Sequence, residues 1–185
     1  SVSMLGQGAF QGCEKLKSVK LPKYIKDLKS YLFSYCSALP EIEIPETVTQ
    51  IGTEVFWNCH SLSEIHLPDA LKVISNDVAD GQHKYQVTYR GIHFSAGTDA
   101  GTCVYMIDNY NFHVTLPIDK KISILIQMYQ KNPDEERLLQ YLKGKDFLIE
   151  VVLLISENQT AVIREIVSAG QLIPKGAVDK MIRLA

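Results

Sequence analysis

The sequence lacks several features that would assign it to a class at once. The formal net charge of −2 over 185 residues argues against a nucleic-acid binder, because such domains usually carry a clear basic excess. No apolar run reaches the roughly 18 residues that a membrane span needs. The nearest candidate, Phe147 to Ile155, is short and interrupted by Glu150. The first residues have neither a basic start nor a long apolar stretch, so they do not resemble a signal peptide.

The sequence also offers no set of residues for catalysis or metal binding. Its four cysteines include no CxxC pair, and its five histidines include no i, i+4 pair. Gly6, Gly8 and Gly12 imitate a phosphate-binding loop, but their spacing is wrong by one residue and no strand-then-helix context surrounds them. Because no nucleophile, base and orienting group can be named together, we predict a non-enzymatic protein without a cofactor or metal ion.

The most informative feature that is present is a repeat, which places the same residue types in the same slots every 23 residues. A fixed period of this length is typical of solenoids, in which each coil buries its apolar face only against its neighbours. The repeat therefore favours an extended binding surface over a catalytic pocket. The repeated columns are Phe10, Phe33 and Phe56; Cys13, Cys36 and Cys59; Leu16, Leu39 and Leu62; Val19, Ile42 and Ile65; Leu21, Ile44 and Leu67; Pro22, Pro45 and Pro68; Ile25, Val48 and Leu71; and Leu28, Ile51 and Ile74.

Each repeat carries one predicted strand, at Leu16–Pro22, Leu39–Pro45 and Leu62–Pro68, where apolar residues alternate and a proline ends the segment. We expect these strands to pair in parallel, because every coil enters the sheet in the same direction. The three cysteines that share one slot predict a buried column of free thiols, since buried free cysteine behaves as a small hydrophobe. The sequence thus predicts leucine-rich coils with a parallel sheet over residues 1–79.

The rest of the chain predicts two further regions, which makes the fold class α+β. Residues 80–116 indicate a β-rich cap or connector, with one strand pair around a turn at Gly91 and a second over 103–107 and 112–116. Residues 117–185 have the apolar spacing of helices and favour an α-helical hairpin domain. The expected helices lie over 122–129, after a predicted N-cap at Asn132, over 148–155, over 162–167 and over 178–185.

The repeat resembles a known family. The pattern Phe-x-x-Cys-x-x-Leu-x-x-[Val/Ile]-x-[Leu/Ile]-Pro, as in Phe56 to Pro68, is similar to the BspA-type leucine-rich repeat over about residues 1–79. The resemblance implies a right-handed solenoid and a bacterial secreted or cell-surface protein, some relatives being adhesins for host extracellular matrix. It implies no catalytic residues. The helical region is loosely similar to ankyrin repeats but lacks their Thr-Pro-Leu-His motif.

Two groups of residues are candidates for a protein-binding site. Tyr35 and Trp57 occupy variable slots beside the Phe column, where a rigid scaffold would present them as interface anchors. Lys20, Glu43 and His66 form an exposed column, in which Lys20 and Glu43 are expected to support each other across rungs about 4.8 Å apart. The alternatives stay open: partial burial for the aromatic residues, and an ordinary solvated surface for the charged column.

We therefore predict a recognition or adhesion module of a bacterial secreted or cell-surface protein, with a host or extracellular-matrix protein as its partner. A cytoplasmic scaffold whose helical region docks a partner is the alternative, and a targeting arm of an enzyme is the third. Because the chain begins in mid-repeat, we expect a longer array, and any export signal, upstream. That upstream sequence distinguishes the first two hypotheses.

Overall fold

The computed structural model describes residues 2–80 and 84–156, together with residues 164, 166 and 168. The chain divides into two compact units, Ser1–Tyr105 and Met106–Ala185. In the described residues the strands are β1 (Asp27–Leu28), β2 (Gln50–Ile51), β3 (Glu64–Leu67), β4 (Val73–Ile74), β5 (Tyr85–Tyr89) and β6 (Ile92–Ala96), and the α-helices are α1 (Ala100–Asn109), α2 (Ile118–Lys131), α3 (Glu136–Leu142) and α4 (Lys145–Ser156).

A short parallel sheet joins successive coils of the first unit. Its strands follow the order β1-β2-β4, with Asp27 paired to Gln50 and Gln50 paired to Val73. Backbone bonds continue around each coil, since the N–H of Phe33 donates to the carbonyl of Val55 at 3.0 Å. Each coil is therefore held by the next through backbone bonds that recur at the same slots of the repeat.

The core of the first unit contains a stack of phenylalanine rings. Phe10 and Phe33 lie 5.3 Å apart between ring centroids, and Phe33 and Phe56 lie 6.1 Å apart. The rings are within 7° of parallel, and Phe33 and Phe56 are fully buried. The predicted alignment of this Phe column is confirmed, and each ring gains contact on the face that its neighbour supplies.

The Cys column (Cys13, Cys36 and Cys59) runs beside the Phe column. The thiols of Cys36 and Cys59 each donate to the carbonyl of the phenylalanine one coil earlier, both at 3.1 Å. Burial raises the pKa of Cys36 to about 11 and that of Cys59 to about 12. The three cysteines of the column are free, as predicted, and Cys103 is also free and buried. Cys13 is exposed, so the prediction of burial is wrong for it, because no described coil covers that side.

Tyr85 continues this hydrogen-bond pattern beyond the last cysteine. Its side chain is fully buried, and its hydroxyl donates to the carbonyl of Phe56 at 2.8 Å. Burial, with smaller contributions from nearby acidic groups, raises the pKa of this phenol. A tyrosine hydroxyl thus takes the part that a cysteine thiol plays in the earlier coils.

The strands predicted from the repeat are only partly present. Leu62–Pro68 contains β3, but Leu16–Pro22 and Leu39–Pro45 form no strand, and the prediction is wrong for both. Their apolar side chains still face the core, as the burial of Ile42 and Ile44 shows. In the second segment Pro40 supplies part of the physical reason, because it has no N–H to give to a ladder, whereas Ser63 holds the same slot before β3. β3 forms because β5 offers it a partner over four residues.

The hairpin predicted after the repeats is confirmed. β5 and β6 pair in antiparallel fashion, with Tyr89 opposite Ile92 across a two-residue turn. Arg90 and Gly91 both have positive φ, 49° and 68°. This is the backbone of a tight hairpin turn, which matches the right-handed twist of the flanking strands.

The second predicted strand pair is wrong, since residues 103–107 lie inside α1 and residues 112–116 form no strand. The apolar positions Ala100, Cys103, Val104 and Ile107 fall at i, i+3, i+4 and i+7, which is a helical spacing. The N-terminus of α1 rests on the last coil, where Asn76 accepts hydrogen bonds from the N–H and hydroxyl of Thr102 at 2.7 and 3.0 Å. The short apolar run over residues 103–107 is compatible with a strand or with a helix.

In the second unit the predicted helices are present as α2, α3 and α4. The N-cap expected at Asn132 is wrong: this residue ends α2, its N–H donating to the carbonyl of Met128, and α3 begins at Glu136. Gly144 follows the end of α3, as expected, and its N–H donates to the carbonyl of Tyr141 at 2.9 Å. The helices expected over 162–167 and 178–185 lie outside the described residues, apart from positions 164 and 166, which are helical.

A buried ion pair joins two of these helices. Lys121 of α2 is 6% exposed, and its Nζ lies 2.5 Å from Oε1 of Glu150 on α4. The hydroxyl of Tyr141 donates to the same carboxylate oxygen at 3.0 Å, and Phe112 and Phe147 surround its ring. Burial and the adjacent carboxylate both raise the pKa of Tyr141. Because the charges are withdrawn from water, each depends on the other.

Candidate protein-binding surfaces

Two surface cavities lie over the described coils of the first unit. The smaller, here the Tyr35 cavity, has a volume of about 240 Å³. The larger, here the groove, has a volume of about 720 Å³ and runs across three coils. No residue lines both. The Tyr35 cavity is lined by Glu14, Tyr35, Ser37, Asn58 and His60, and the groove by Ser18, Val19, residues 40–46, Ser63, Glu64 and His66.

Tyr35 is held in an unusual backbone conformation. Its φ is 64°, in the left-handed region that costs a side-chain-bearing residue about 1–2 kcal/mol. A hydrogen bond of 2.7 Å from its N–H to the carbonyl of Trp57 fixes the segment. Tyr35 is nevertheless 46% exposed, so much of its surface stays in contact with solvent. The coil thus presents an aromatic side chain to solvent from a rigid position.

The equivalent slots in the neighbouring coils show that the fold does not need a tyrosine here. Gly12 occupies the slot one coil earlier with φ 75°, and Asn58 occupies it one coil later with φ 56°. Glycine adopts this conformation without steric cost, and asparagine tolerates it better than most residues. A coil therefore forms with no side chain at this position, and Tyr35 is available for another role.

Trp57 lies next to this site without lining the Tyr35 cavity. Its side chain is half-buried, and its carbonyl receives the hydrogen bond from Tyr35. Tyr31 repeats the left-handed geometry at φ 63°, in a slot that Gly8 fills with φ 61°. Tyr31 is half-buried and lines neither cavity, which makes it a matched comparison for Tyr35.

The structure separates Lys20 from Glu43 and His66, the other two residues of the charged column. Glu43 and His66 are exposed and line the groove, where Nε2 of His66 lies 3.4 Å from a carboxylate oxygen of Glu64. Lys20 is exposed but does not line the groove, and in the described residues it forms no ion pair with Glu43. The expected support between Lys20 and Glu43 is therefore wrong, because no strand ladder holds their two segments at rung spacing.

The sequence analysis missed two features of these surfaces. Glu41 and Glu64 both line the groove, and they share one repeat slot that the charged column did not include. The left-handed slots were also missed, although Gly8 and Gly12 marked them in the first coil. Comparing each variable slot across coils, glycine included, would have found both.

Other kinds of site are not built by the part of the chain that the structure describes. No group of three or more histidine, cysteine or acidic side chains is placed to hold a metal ion there. None of the helices in these ranges combines the length and the apolarity that a membrane crossing needs.

Parallel strands that pair between successive coils, with apolar columns buried between them, define a leucine-rich repeat protein. Residues 1–89 match the BspA type leucine rich repeat region in 6 copies, so this part of the chain is similar to that family. Repeats of this kind suggest a protein-interaction module, so protein binding is the function that the match indicates for residues 1–89.

A solved structure is similar over part of the chain. The crystal structure of the Leucine Rich Repeat protein of T. pallidum (TpLRR) is 36% identical and matches with a TM-score of 0.40. The match covers 44% of this chain and 36% of that one, so the chain spans about a third of its relative. No curated protein matches the sequence.

Proposed function

We propose that the protein is a recognition or adhesion module of a bacterial secreted or cell-surface protein. Its partner is a protein of the host or of the extracellular matrix. The family supports protein binding, and the cellular location is the part that the proposal adds. The coils act as a rigid scaffold, and the binding residues are carried in the slots that vary from coil to coil.

One observation carries this proposal. Tyr35 stays exposed although its backbone is in the left-handed region and an equivalent coil uses glycine. Strained positions persist where the strain serves a site, and exposed aromatic side chains on rigid scaffolds are the commonest interface anchors. Trp57 supports Tyr35 through its carbonyl, while Glu43, His66 and Lys20 are the proposed polar contacts.

The proposal includes an organisation of the whole chain. Residues 1–79 would be stacked coils of a right-handed solenoid, residues 80–116 a cap or connector, and residues 117–185 a helical hairpin domain. The parallel pairing of β1, β2 and β4 supports the stacking, because each step links equivalent residues of successive coils. Limited proteolysis that releases a stable fragment ending near residue 116 would support this division.

The binding role is tested with Tyr35→Gly, since glycine relieves the backbone while removing the ring. The protein is passed over immobilised extracellular-matrix extract and immobilised cytosolic extract, and binding is followed by surface plasmon resonance. We expect the wild type to bind the matrix surface and Tyr35→Gly to bind at least about tenfold more weakly, as for an aromatic anchor. Its unfolding free energy should change by less than about 1 kcal/mol.

Tyr31→Gly is the matched control, because it makes the same substitution at the same φ outside the cavity. We expect it to bind like the wild type. Equal losses in both variants would show that the effect comes from the backbone and not from the Tyr35 ring. Binding to the cytosolic surface alone would favour the cytoplasmic scaffold.

A further inference from the structure

We propose that the Tyr35 cavity binds an arginine side chain of the partner protein, with the guanidinium stacked on the Tyr35 ring and bonded to the carboxylate of Glu14. This inference rests on the protein-recognition function proposed above, and it specifies the chemistry that the partner presents. Four observations carry it: the way the coils build the cavity, its size, its charge, and a similar arrangement within the second unit.

The repeat itself builds the Tyr35 cavity. Its lining residues come from two slots of successive coils, with Tyr35 and Asn58 in one slot and Glu14, Ser37 and His60 in the other. Direct bonds join the coils at both slots, since the N–H of Tyr35 donates to the carbonyl of Trp57 at 2.7 Å and the N–H of Ala38 donates to that of Glu14 at 3.2 Å. The coils therefore stay in contact, and a ligand lies against the side chains on their outer surface.

The slot of Tyr35 is open on the side of the preceding coil. Gly12 occupies it there, and apart from its chain neighbours no described heavy atom lies within 4 Å of the position that a Cβ would take. Glu14 follows Gly12 by two residues and lines the same cavity as Tyr35. A group bound in the cavity can therefore contact the ring of Tyr35 and the carboxylate of Glu14 together.

The size of the cavity suits one side chain. Its volume is about 240 Å³, whereas pockets for small molecules usually have about 300–1,000 Å³. A single side chain that enters such a site from a partner protein is the usual form of an interface anchor.

The charge of the cavity selects a cation. Glu14 is exposed, and no lysine or arginine of the described residues lines the cavity. The Glu14 carboxylate forms no ion pair within the described part of the chain. An aromatic face attracts a cation through its quadrupole, and a carboxylate attracts it through its charge. Arginine fits both better than lysine, because a planar guanidinium stacks on a ring and can donate two N–H groups to one carboxylate.

The second unit contains a similar arrangement. Tyr110 also has a left-handed backbone, with φ 48°, and the guanidinium carbon of Arg137 lies 5.1 Å from the centre of its ring. Nε of the same arginine lies 3.4 Å from a carboxylate oxygen of Glu135. A tyrosine on a left-handed residue is thus covered by an arginine that also pairs with a glutamate. In the Tyr35 cavity the chain supplies the tyrosine and the glutamate, and the partner supplies the arginine.

The test uses the capped tripeptide Gly-Arg-Gly and a control peptide with citrulline, an uncharged isostere, in place of arginine. Amide chemical shifts of the complete, isotope-labelled chain are followed by NMR, which detects the weak affinity expected for one side chain, with a dissociation constant of about 1–10 mM. We expect the arginine peptide to shift the signals of Tyr35 and Asn58, and the citrulline peptide to bind at least about fivefold more weakly. Added salt should weaken the binding of the arginine peptide, because exposed charges are screened.

Substitution of Glu14 tests the charged contact. Glu14→Gln should weaken binding of the arginine peptide about three- to tenfold and leave binding of the citrulline peptide unchanged. Glu41→Gln is the control, because it removes one exposed carboxylate outside the cavity, and it should leave the affinity within about twofold. Equal losses in the two variants would mean that net charge attracts the peptide, and the inference would be wrong.

Substitution of Tyr35 tests the stacked contact. Tyr35→Gly should weaken binding of the arginine peptide about three- to tenfold, whereas Tyr35→Phe keeps the ring and should stay within about twofold of the wild type. A Gly-Lys-Gly peptide should bind about threefold or more weakly than Gly-Arg-Gly. Wild-type affinity in Tyr35→Gly, or equal affinity for lysine and arginine, would overturn the stacked guanidinium.

The two proposals fail in different ways. If the arginine peptide does not bind while binding to matrix extract still depends on Tyr35, the inference about arginine falls and the recognition function stands. If the peptide binds through Glu14 and Tyr35 but neither extract surface retains the protein, the arginine site stands and the proposed function falls. A concentration-dependent dimer in sedimentation that is lost in Glu14→Gln would identify an arginine of a second copy as the occupant, and would overturn the inference.

Discussion

Replacing Phe33 with alanine tests the idea that each coil is stabilised mainly by its two neighbours. Phe33 is 0% exposed and has a stacked ring on both sides, at 5.3 and 6.1 Å. Removal of a buried phenylalanine side chain costs about 3–5 kcal/mol through lost transfer energy and the cavity left behind. Phe10 is half-buried and has one described neighbour in the stack, so Phe10→Ala should cost about 1–2 kcal/mol.

Denaturant unfolding followed by Trp57 fluorescence measures this difference. The chain has one tryptophan, which lies in the first unit and directly follows a phenylalanine of the stack, so its emission reports on the coils. A third variant, Phe33→Leu, keeps most of the volume and should cost about 1–1.5 kcal/mol. Equal costs for Phe10→Ala and Phe33→Ala, or a cost below about 1 kcal/mol for Phe33→Ala, would refute the nearest-neighbour reasoning.

Three further predictions concern single groups. Tyr85→Phe leaves the Phe56 carbonyl without its hydroxyl donor, so calorimetry should show a loss of about 1–3 kcal/mol. Glu150→Leu leaves Lys121 buried and unpaired, and chemical denaturation followed by far-UV circular dichroism should show a loss of about 3–5 kcal/mol, largely restored in Lys121→Met/Glu150→Leu. Because burial raises the folded-state pKa of the two buried thiols of the Cys column above 9.0, their stabilisation is complete below pH 9 and declines as pH rises to about 11–12. Alanine at both positions should flatten that decline, and an unchanged slope would contradict this assignment.

The core could be predicted from the sequence because the coils bury the same slots each time. The slot that each residue occupies in the repeat was enough to predict that Phe33, Phe56 and the buried cysteines lie in the core. A repeat that packs on its neighbours must align equivalent residues. The strands were harder to predict from the sequence. Alternation predicts which side chains turn inward, but a ladder also needs donors on both partners, and Pro40 removes one where the third segment has Ser63. Side-chain pattern and backbone pairing are separate properties in these coils.

The connecting region shows a second limit. Tyr85 to Ala96 was predicted as a hairpin because alternation and a glycine turn agreed. Residues 103–107 satisfied a strand pattern over five positions, and only the wider window from Ala100 to Ile107 shows the helical spacing. Of the candidate site, the aromatic residues and Glu43 came from the sequence, whereas the groove did not. The groove is lined by residues of three coils, and no pattern within one coil shows how those residues come together.

Two tyrosines of the first unit show that the slot of a residue, more than its type, indicates its role. Tyr85 falls in a slot that leucine fills in the coils before it, and its ring is buried with its hydroxyl bonded to a carbonyl. Tyr35 falls in a slot that glycine fills one coil earlier, and its ring is exposed on a left-handed backbone. The first is explained by packing, because the slot is apolar in every coil. The second is not, because an equivalent coil forms without a side chain there. Substitution of Tyr85 should therefore change stability, and substitution of Tyr35 should change binding at nearly constant stability.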